Sequence, residues 1–334
     1  MVLVSVLSVN ITFIGKPVVV MYGEWYRDYA HSEFPVPESS LPARSLTGAV
    51  ILQLLLWYTI FLSLVSTRVI EGESFMEKVE LGWDEFWARV FRIWHRQSIQ
   101  GIQHYDRLVV DFCFEALGLK KGAQILDIAC GAGDQSIEFA KHGLNVMAFD
   151  ISKALIDVAK ERAKADHVKV DFFTGDMREM SFDQKFDAAV MLSHSFGFFR
   201  HETNEQVLRD SHDLLKDGGR LLLDLMNPYN LPRFNKTWVK LEGGFLLSEP
   251  HVLDAPAGVL TGRPAIFIDT QSDRIVLMNE DALANNNIRM YTALEIREML
   301  KAAGFSKVEL YGQNKLPRMQ YCADSERMVV IATR

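Results

Sequence analysis

Cysteine is scarce in this chain. Cys113, Cys130 and Cys322 lie far apart among 334 residues with no CxxC spacing, so neither a disulfide framework nor a cysteine zinc site is legible, and a reducing, cytoplasmic setting fits. An excess of basic charge is also missing. The 36 Lys and Arg residues face 43 Asp and Glu, a net charge of −7, so nothing favours a phosphate backbone and a nucleic-acid partner is disfavoured. No HxxxH and no close acid triad marks a metal site, and the expected metal is none. A basic n-region before the first apolar run is absent, which argues against a cleaved signal peptide. Apolar residues, in contrast, make up 49% of the chain. That suffices for one large domain with appendages and is not the composition of a disordered chain.

The stretch from Ile125 to Asp150 organises the rest. The apolar positions Ile125, Leu126 and Ile128 end in the small-residue turn Gly131-Ala132-Gly133, a helix-length segment stops at Gly143, and a second apolar run closes on Asp150. This pattern predicts a strand, a tight turn, a helix and a parallel strand with an acid at its tip, one nucleoside-binding half of a doubly wound sheet. The alternation continues. Ser152 is the expected N-cap of a helix reaching about Lys164. Strands are expected at Val168 to Phe173, Phe186 to Leu192 and Arg220 to Leu225, with a helix from about Glu202 to Leu215. Thr292 and Glu295 form a capping box for a helix ending near Gly304, and Val308 to Tyr311 and Met328 to Ala332 supply the last two strands. Between residues 230 and 290 the period shortens to β-like runs, which predicts an antiparallel insertion over the strand tips.

The first 75 residues differ in character. Met1 to Ile14 is apolar, and no residue between Arg44 and Arg68 is charged, a run long enough to span a bilayer through residues 46–66. A membrane anchor is one reading; an extended gene start before Met76 is the other. Trp83, Phe86, Trp87, Val90, Phe91 and Trp94 fall at helical spacing, which predicts an amphipathic helix that packs on the core, forms a lid or lies on a membrane surface. The organisation expected is a hydrophobic extension over 1–75, helices over 76–118, and a ligand-binding domain over 119–334 with its insertion at 230–290.

A dinucleotide fingerprint requires a third glycine where Ser136 stands, and Asp134 at the helix start repels a pyrophosphate. Acidic groups there suit a ligand with a cationic end. LDIACGAG, Asp150 ending the next strand, and Gly175-Asp176 after the third resemble the class I S-adenosylmethionine-dependent methyltransferases that act on small molecules. The resemblance covers about Tyr105 to Arg334. It implies a Rossmann-like, seven-stranded, doubly wound α/β sheet whose last strand runs antiparallel beside the fifth, with S-adenosyl-L-methionine as cofactor. It further implies that Asp127 holds the methionine amino end, that Gly131 and Gly133 pass under the cofactor, that Asp150 takes both ribose hydroxyls, and that Asp176 and the Met177 amide meet the adenine. Ala129, Ile151 and Ser193 complete the implied cofactor-binding set. The insertion followed by YTALEIREMLKAAGF is similar to members that methylate amino groups or hydroxyls of small metabolites, which places N-methylation ahead of O-methylation.

His194 follows the fourth strand where the cofactor methyl is expected to project, so it is the candidate catalytic base; lining the pocket or capping the turn is the competing role. Tyr105, Phe196, Phe198, Tyr229 and Tyr291 are candidate walls of an acceptor pocket, with Glu249 and His251 behind them. Asn227-Pro228-Tyr229 superficially resembles a motif of DNA adenine methyltransferases but follows the wrong strand, and base methylation is disfavoured. A membrane-anchored lipid or quinone methyltransferase and a cofactor-binding protein without turnover remain the rival functions.

Overall fold

The computed structural model describes residues 9–13, 16–20, 77–97, 99–231, 238–241, 244–248, 252–261, 265–269, 271–272, 274–280 and 287–334. The chain divides into two compact units, Met1–Ser74 and Phe75–Arg334. In the first, β1 (Val9–Phe13) and β2 (Lys16–Val20) pair antiparallel, Val9 opposite Val20, so this part of the apolar arm is a two-stranded ribbon. The candidate span at 46–66 lies outside the described residues. Among the described residues, no helix is long and apolar enough to cross a membrane.

The second unit opens with β3 (Glu77–Leu81), α1 (Trp83–Gln97) and α2 (Ile99–Leu117). Helices were expected within residues 76–118; β3 lies ahead of them and was not anticipated. It joins a sheet whose other members come from the insertion. Helix and strand then alternate through β4 (Gln124–Ile128), α3 (Asp134–Lys141), β5 (Asn145–Asp150), α4 (Lys153–Ala165), β6 (Asp171–Thr174), β7 (Phe186–Met191), α5 (His201–Leu214) and β8 (Leu215–Met226). The insertion holds β9 (Trp238–Leu241), β10 (Gly244–Ser248), β11 (Val252–Asp254), β12 (Val259–Thr261), β13 (Ala265–Asp269), β14 (Arg274–Met278) and β15 (Asn287–Arg289), and the chain closes with α6 (Ala293–Ala302), β16 (Lys307–Tyr311) and β17 (Arg327–Thr333).

The main sheet has seven strands in the order β16-β17-β8-β7-β4-β5-β6. The central strands are parallel, while β17 runs antiparallel to both β8 and β16. Residues alternate between its faces as a pleat requires. Ile125, Ala148, Val190, Leu222 and Ile331 pack against Val109, Phe112, Phe139 and Ile156 on one side. Leu126, Phe149, Met191, Leu223 and Val330 pack against Leu208, Ile296 and Leu300 on the other. Helices therefore cover both faces, the doubly wound arrangement. Local signals begin these helices where the sequence places them. The Ser152 hydroxyl accepts from the Leu155 amide, and Thr292 and Glu295 complete a capping box.

The insertion forms two sheets, β3-β14-β13-β10-β9 and β11-β12-β15. β3 pairs parallel with β14, and all other pairs of the two sheets are antiparallel. Helix α1 joins the first of these sheets to the main domain. Phe86 and Val90, one turn apart, are buried with Leu246, Phe267 and Val276, while the small Ala88 lets the helix approach Ala132, Leu155 and Val158. Full burial of Phe86 contributes about 2–3 kcal/mol. Arg89 adds an ion pair to Asp269 at 2.6 Å. The second sheet reaches the tip of β7, where the Arg289 amide donates to the Gly197 carbonyl at 2.7 Å.

Candidate functional site

The implied cofactor residues all fall at the carboxyl ends of β4, β5, β6 and β7, the edge where open α/β sheets bind ligands. After β4 the chain passes through three left-handed residues, Ala129 (φ 59°), Gly131 (φ 57°) and Gly133 (φ 75°). The Cys130 amide bonds Phe149 O of β5 at 3.0 Å, and the Gly133 amide closes the turn on Cys130 O at 3.0 Å. The two glycines differ in purpose. A Cβ on Gly133 would sit 2.7 Å from Phe172 Cζ and 2.9 Å from Ala159 Cβ, whereas one on Gly131 would meet nothing within 4 Å. Gly133 therefore serves the packing of the turn, and Gly131 presents bare backbone to open space.

Two carboxylates stand at the strand tips that meet this turn, Asp127 in β4 and Asp150 at the end of β5. Asp127, 2% exposed, accepts from the Ser136 hydroxyl at 2.5 Å. Its carboxyl is pushed up to about 7, chiefly by burial, with the Asp150 and Asp134 charges adding to the shift against the pull of Ser136. Asp150 accepts from the Gly131 and Ser152 amides, each at 2.9 Å. Burial raises its pKa too, opposed by those amides. A pair of buried acids that resist ionisation beside open backbone is suited to a ligand bringing positive charge and hydroxyl donors. Ile151 stands next to them, 60% exposed.

Asp176, beyond β6, is gripped by Arg178 through both carboxylate oxygens, and this hydrogen bonding lowers its pKa against a smaller opposing effect of burial. Arg178 also lies over the Phe199 ring, 4.9 Å from its centroid. Met177 packs partly buried on the core. Asp134, whose charge was expected to face the ligand, is instead compensated: Arg162 approaches it at 2.7 Å while donating to Ala132 O at 2.6 Å. Its effect on a phosphate is correspondingly weaker than the sequence suggests.

Ser193 and His194 follow β7, both with positive φ. A small cleft beside them is lined by His194, Phe196, Leu225, Arg289, Met290 and Tyr291, among others. Of the candidate pocket aromatics, Phe196 and Tyr291 are thus brought to His194, and Phe198 and Tyr229 are exposed. Tyr105 does not line this cleft; it belongs to a polar cluster that meets His194 through Arg327. Glu249 and His251 lie outside the described residues. Asn227 is buried and committed to structure, donating to Ala323 O and Ser325 O and accepting from the Tyr321 hydroxyl. Among the described residues no group of His, Cys, Asp or Glu could hold a metal ion.

Sequence reasoning missed the cluster around Asp224 and Arg327. Asp224 of β8 is 1% exposed and pairs with Arg327 of β17 at 3.0 Å. Burial, the largest single effect, works against the Arg327 charge, but Asp224, Tyr105 and Glu326 together outweigh it and raise the pKa. Arg327 reaches His194 Nε2 at 3.0 Å and the Tyr105 hydroxyl at 3.1 Å. The available signal was a lone acid inside the apolar run of β8. Nothing in the sequence tied it to an arginine 103 positions away.

Residues 125–219 match the family model described as a methyltransferase domain. Similar curated proteins include the cypemycin N-terminal methyltransferase of Streptomyces sp., 28% identical over 225 residues that cover 64% of this chain and 84% of the relative. The demethylmenaquinone methyltransferase of Renibacterium salmoninarum is 34% identical over 127 residues, 38% of this chain and 49% of the relative. The ubiquinone biosynthesis O-methyltransferase of Coxiella burnetii is 32% identical over 109 residues, 32% of this chain and 45% of the relative. The chain thus spans about half the length of most of the curated relatives it matches. Among solved structures, an S-adenosylmethionine-dependent methyltransferase from Clostridium acetobutylicum is similar with a TM-score of 0.57 at 17% identity, covering 69% of this chain and 91% of that one. An amino pentose methyltransferase from Micromonospora echinaspora, solved with S-adenosylmethionine bound, has a TM-score of 0.52 at 21% identity over 73% of this chain and 96% of that one. At these identities the structural likeness is one of fold.

Proposed function

We propose, for a chain that carries a class I S-adenosylmethionine-dependent methyltransferase domain, that it transfers the cofactor's methyl group to a small-molecule acceptor. The observation that carries this reading is the pair Asp127 and Asp150, two buried carboxylates whose pKa values are raised, at the strand tips that meet the glycine turn, Asp150 bonded to the Gly131 amide. A cofactor with an ammonium, a sulfonium and two ribose hydroxyls relieves that arrangement, so the residues fit it. When bound, it supplies a methyl group on a cationic sulfur. In this reading Asp127 holds the ammonium, Asp150 accepts from the ribose hydroxyls, and Asp176 with the Met177 amide meets the adenine. Ala129, Gly131, Gly133, Ile151 and Ser193 shape the surrounding walls.

The acceptor is proposed to lie in the cleft beside His194, with N-methylation ahead of O-methylation. An amine that arrives unprotonated needs only to be positioned, whereas a hydroxyl needs a base. His194, the candidate base, has its Nε2 lone pair engaged by Arg327. The cypemycin and amino pentose relatives are named for amino-bearing acceptors, while the ubiquinone relative is named for an oxygen. Isothermal titration of S-adenosylmethionine and S-adenosylhomocysteine against the full chain tests the cofactor. Absence of binding by both at about millimolar concentration overturns the reading. Labelled methyl transfer into parallel panels of amines and phenols then decides the nucleophile, and turnover confined to phenols rejects the N-preference. The uncharged run before Arg68 motivates a second reading, an acceptor in a membrane. Recovery of the whole protein without detergent in the soluble fraction rejects the anchor.

A further inference from the structure

The turn after β7 places two consecutive non-glycine residues in the left-handed region, Ser193 at φ 52° and His194 at φ 68°. L side chains adopt that conformation at a cost, and such strain persists only where the surroundings impose it. Here one buried residue does so from two atoms. The His194 amide donates to the Asp224 carbonyl at 3.0 Å, and the Ser193 amide donates to Asp224 Oδ2 at 3.2 Å.

Asp224 is itself held in a closed ring of side chains. Its Oδ2 accepts from Arg327 Nη1 at 3.0 Å and from Asn314 Nδ2 at 3.1 Å. Both of those residues then donate to the Tyr105 hydroxyl, Arg327 Nη2 at 3.1 Å and Asn314 Nδ2 at 2.9 Å. The ring joins α2, the tips of β8 and β17, and the segment after β16. Burial, the largest effect on Tyr105, keeps its phenol protonated. Glu326 is the remaining acid acting on both Arg327 and Tyr105.

Arg327 Nη1 lies 3.0 Å from His194 Nε2. A guanidinium has donors and no acceptor, so Nε2 must accept and the ring proton of a neutral imidazole must sit on Nδ1. Nη1 has two hydrogens, one for the Asp224 carboxylate and one for the imidazole.

We propose that Arg327, oriented by Asp224, is a positioning residue that holds His194 as a neutral, Nδ1-protonated ring on a strained turn, so that His194 orients the acceptor instead of taking its proton. The mechanistic half of this proposal rests on the methyl-transfer reading; the tautomer does not. The acceptor class that follows is an amine already in its free-base form, for which no protein base is required.

The experiment is long-range ¹H–¹⁵N spectroscopy of the full chain labelled with ¹⁵N-histidine at about neutral pH, with His194→Asn identifying the signal. The expected result is a protonated Nδ1 and an unprotonated, hydrogen-bonded Nε2. Protonation at Nε2, in either the other tautomer or the imidazolium, overturns the proposal whether or not the cofactor binds. In Arg327→Met the ring is expected to lose this single tautomer while Arg327→Lys, which keeps a donor, retains it in part. Once an amine acceptor is in hand, Arg327→Met is expected to lower kcat about tenfold or more with KM for S-adenosylmethionine within about twofold of wild type, as misorientation at a reacting centre does. An unchanged kcat, or a loss carried wholly by that KM, overturns the positioning role. Should Arg327→Met fail to fold, the wild-type spectrum and Tyr105→Phe, which removes only one acceptor from the ring and is expected to leave the Nδ1 tautomer in place, still decide it.

Discussion

Replacing Asp127 with Asn removes a carboxylate that the fold ionises only with difficulty. The side chain is 2% exposed, and its pKa is raised from 3.8 to about 7, first by burial and then by the charges of Asp150 and Asp134. Because the folded value lies above the unfolded one, the folded state binds the proton more tightly. Ionisation therefore destabilises the protein progressively from about pH 4 to about pH 7, and the penalty is complete above that range. A shift of about three units corresponds to about 4 kcal/mol at the alkaline limit. Asparagine keeps an acceptor for Ser136 and escapes the penalty, less about 1 kcal/mol for a weaker hydrogen bond. The ligand-free variant should lie about 1 kcal/mol below the wild type near pH 4 and exceed it by about 3 kcal/mol near pH 8, the latter being about 6–12 °C in Tm for a domain of this size. Thermal unfolding at pH 5, 6, 7 and 8 measures the divergence. S-Adenosylmethionine affinity should fall in the same variant by about 10- to 100-fold, the loss of one charge-assisted bond. A stability difference that ignores pH, or a variant that is less stable at pH 8, refutes the buried-charge argument. Unaltered cofactor affinity refutes the ligand role of Asp127.

The two turn glycines should separate in their effects. Gly133→Ala is expected to destabilise the fold by about 2–4 kcal/mol in urea, from the left-handed backbone and the crowding against Phe172 and Ala159. Gly131→Ala should cost about 1–2 kcal/mol and yet abolish measurable cofactor binding by calorimetry. Arg178→Ala should change stability by less than about 1 kcal/mol at neutral pH, given an ion pair open to solvent. Since Asp176 is depressed in the fold, that small contribution is present above its unfolded pKa and disappears as pH falls through the folded value; denaturation at neutral and acid pH compares them. Tyr291→Phe leaves the buried Asn204 amide without the hydroxyl it reaches at 2.9 Å and should lower stability by about 1–2 kcal/mol, read from chemical unfolding.

Much of the frame was legible because its signals are local. The Cys130–Asp134 turn, the acid ending β5, the Ser152 cap and the Thr292–Glu295 capping box depend on residues a few positions apart, and each has its expected form. The strand β3 was not legible. It gains its partner from β14, with Glu77 opposite Arg274, and an isolated five-residue run carries no mark of so distant a neighbour. The short β15 likewise takes its partner from β12, nearly thirty residues earlier, and the compensation of Asp134 by Arg162 is equally non-local. The apolar stripe of α1 announced a helix but not its partners. Phe86 and Val90 turn to the insertion, and Ala88 turns to the glycine-rich turn and α4.

By itself the sequence determined the order of strands and helices around the seven-stranded sheet, the glycine turn and the acids at the strand tips, since period, chain reversal and capping are properties of neighbouring residues. Tertiary structure alone decided what those groups experience. It buried Asp127 and Asp150 so that their charges call for a cation, turned Gly133 inward and left Gly131 open, and brought Tyr105, Asp224, Asn314 and Arg327 into one ring against His194. Burial and the pairing of distant polar groups depend on how the elements pack, and no local pattern in the chain records that.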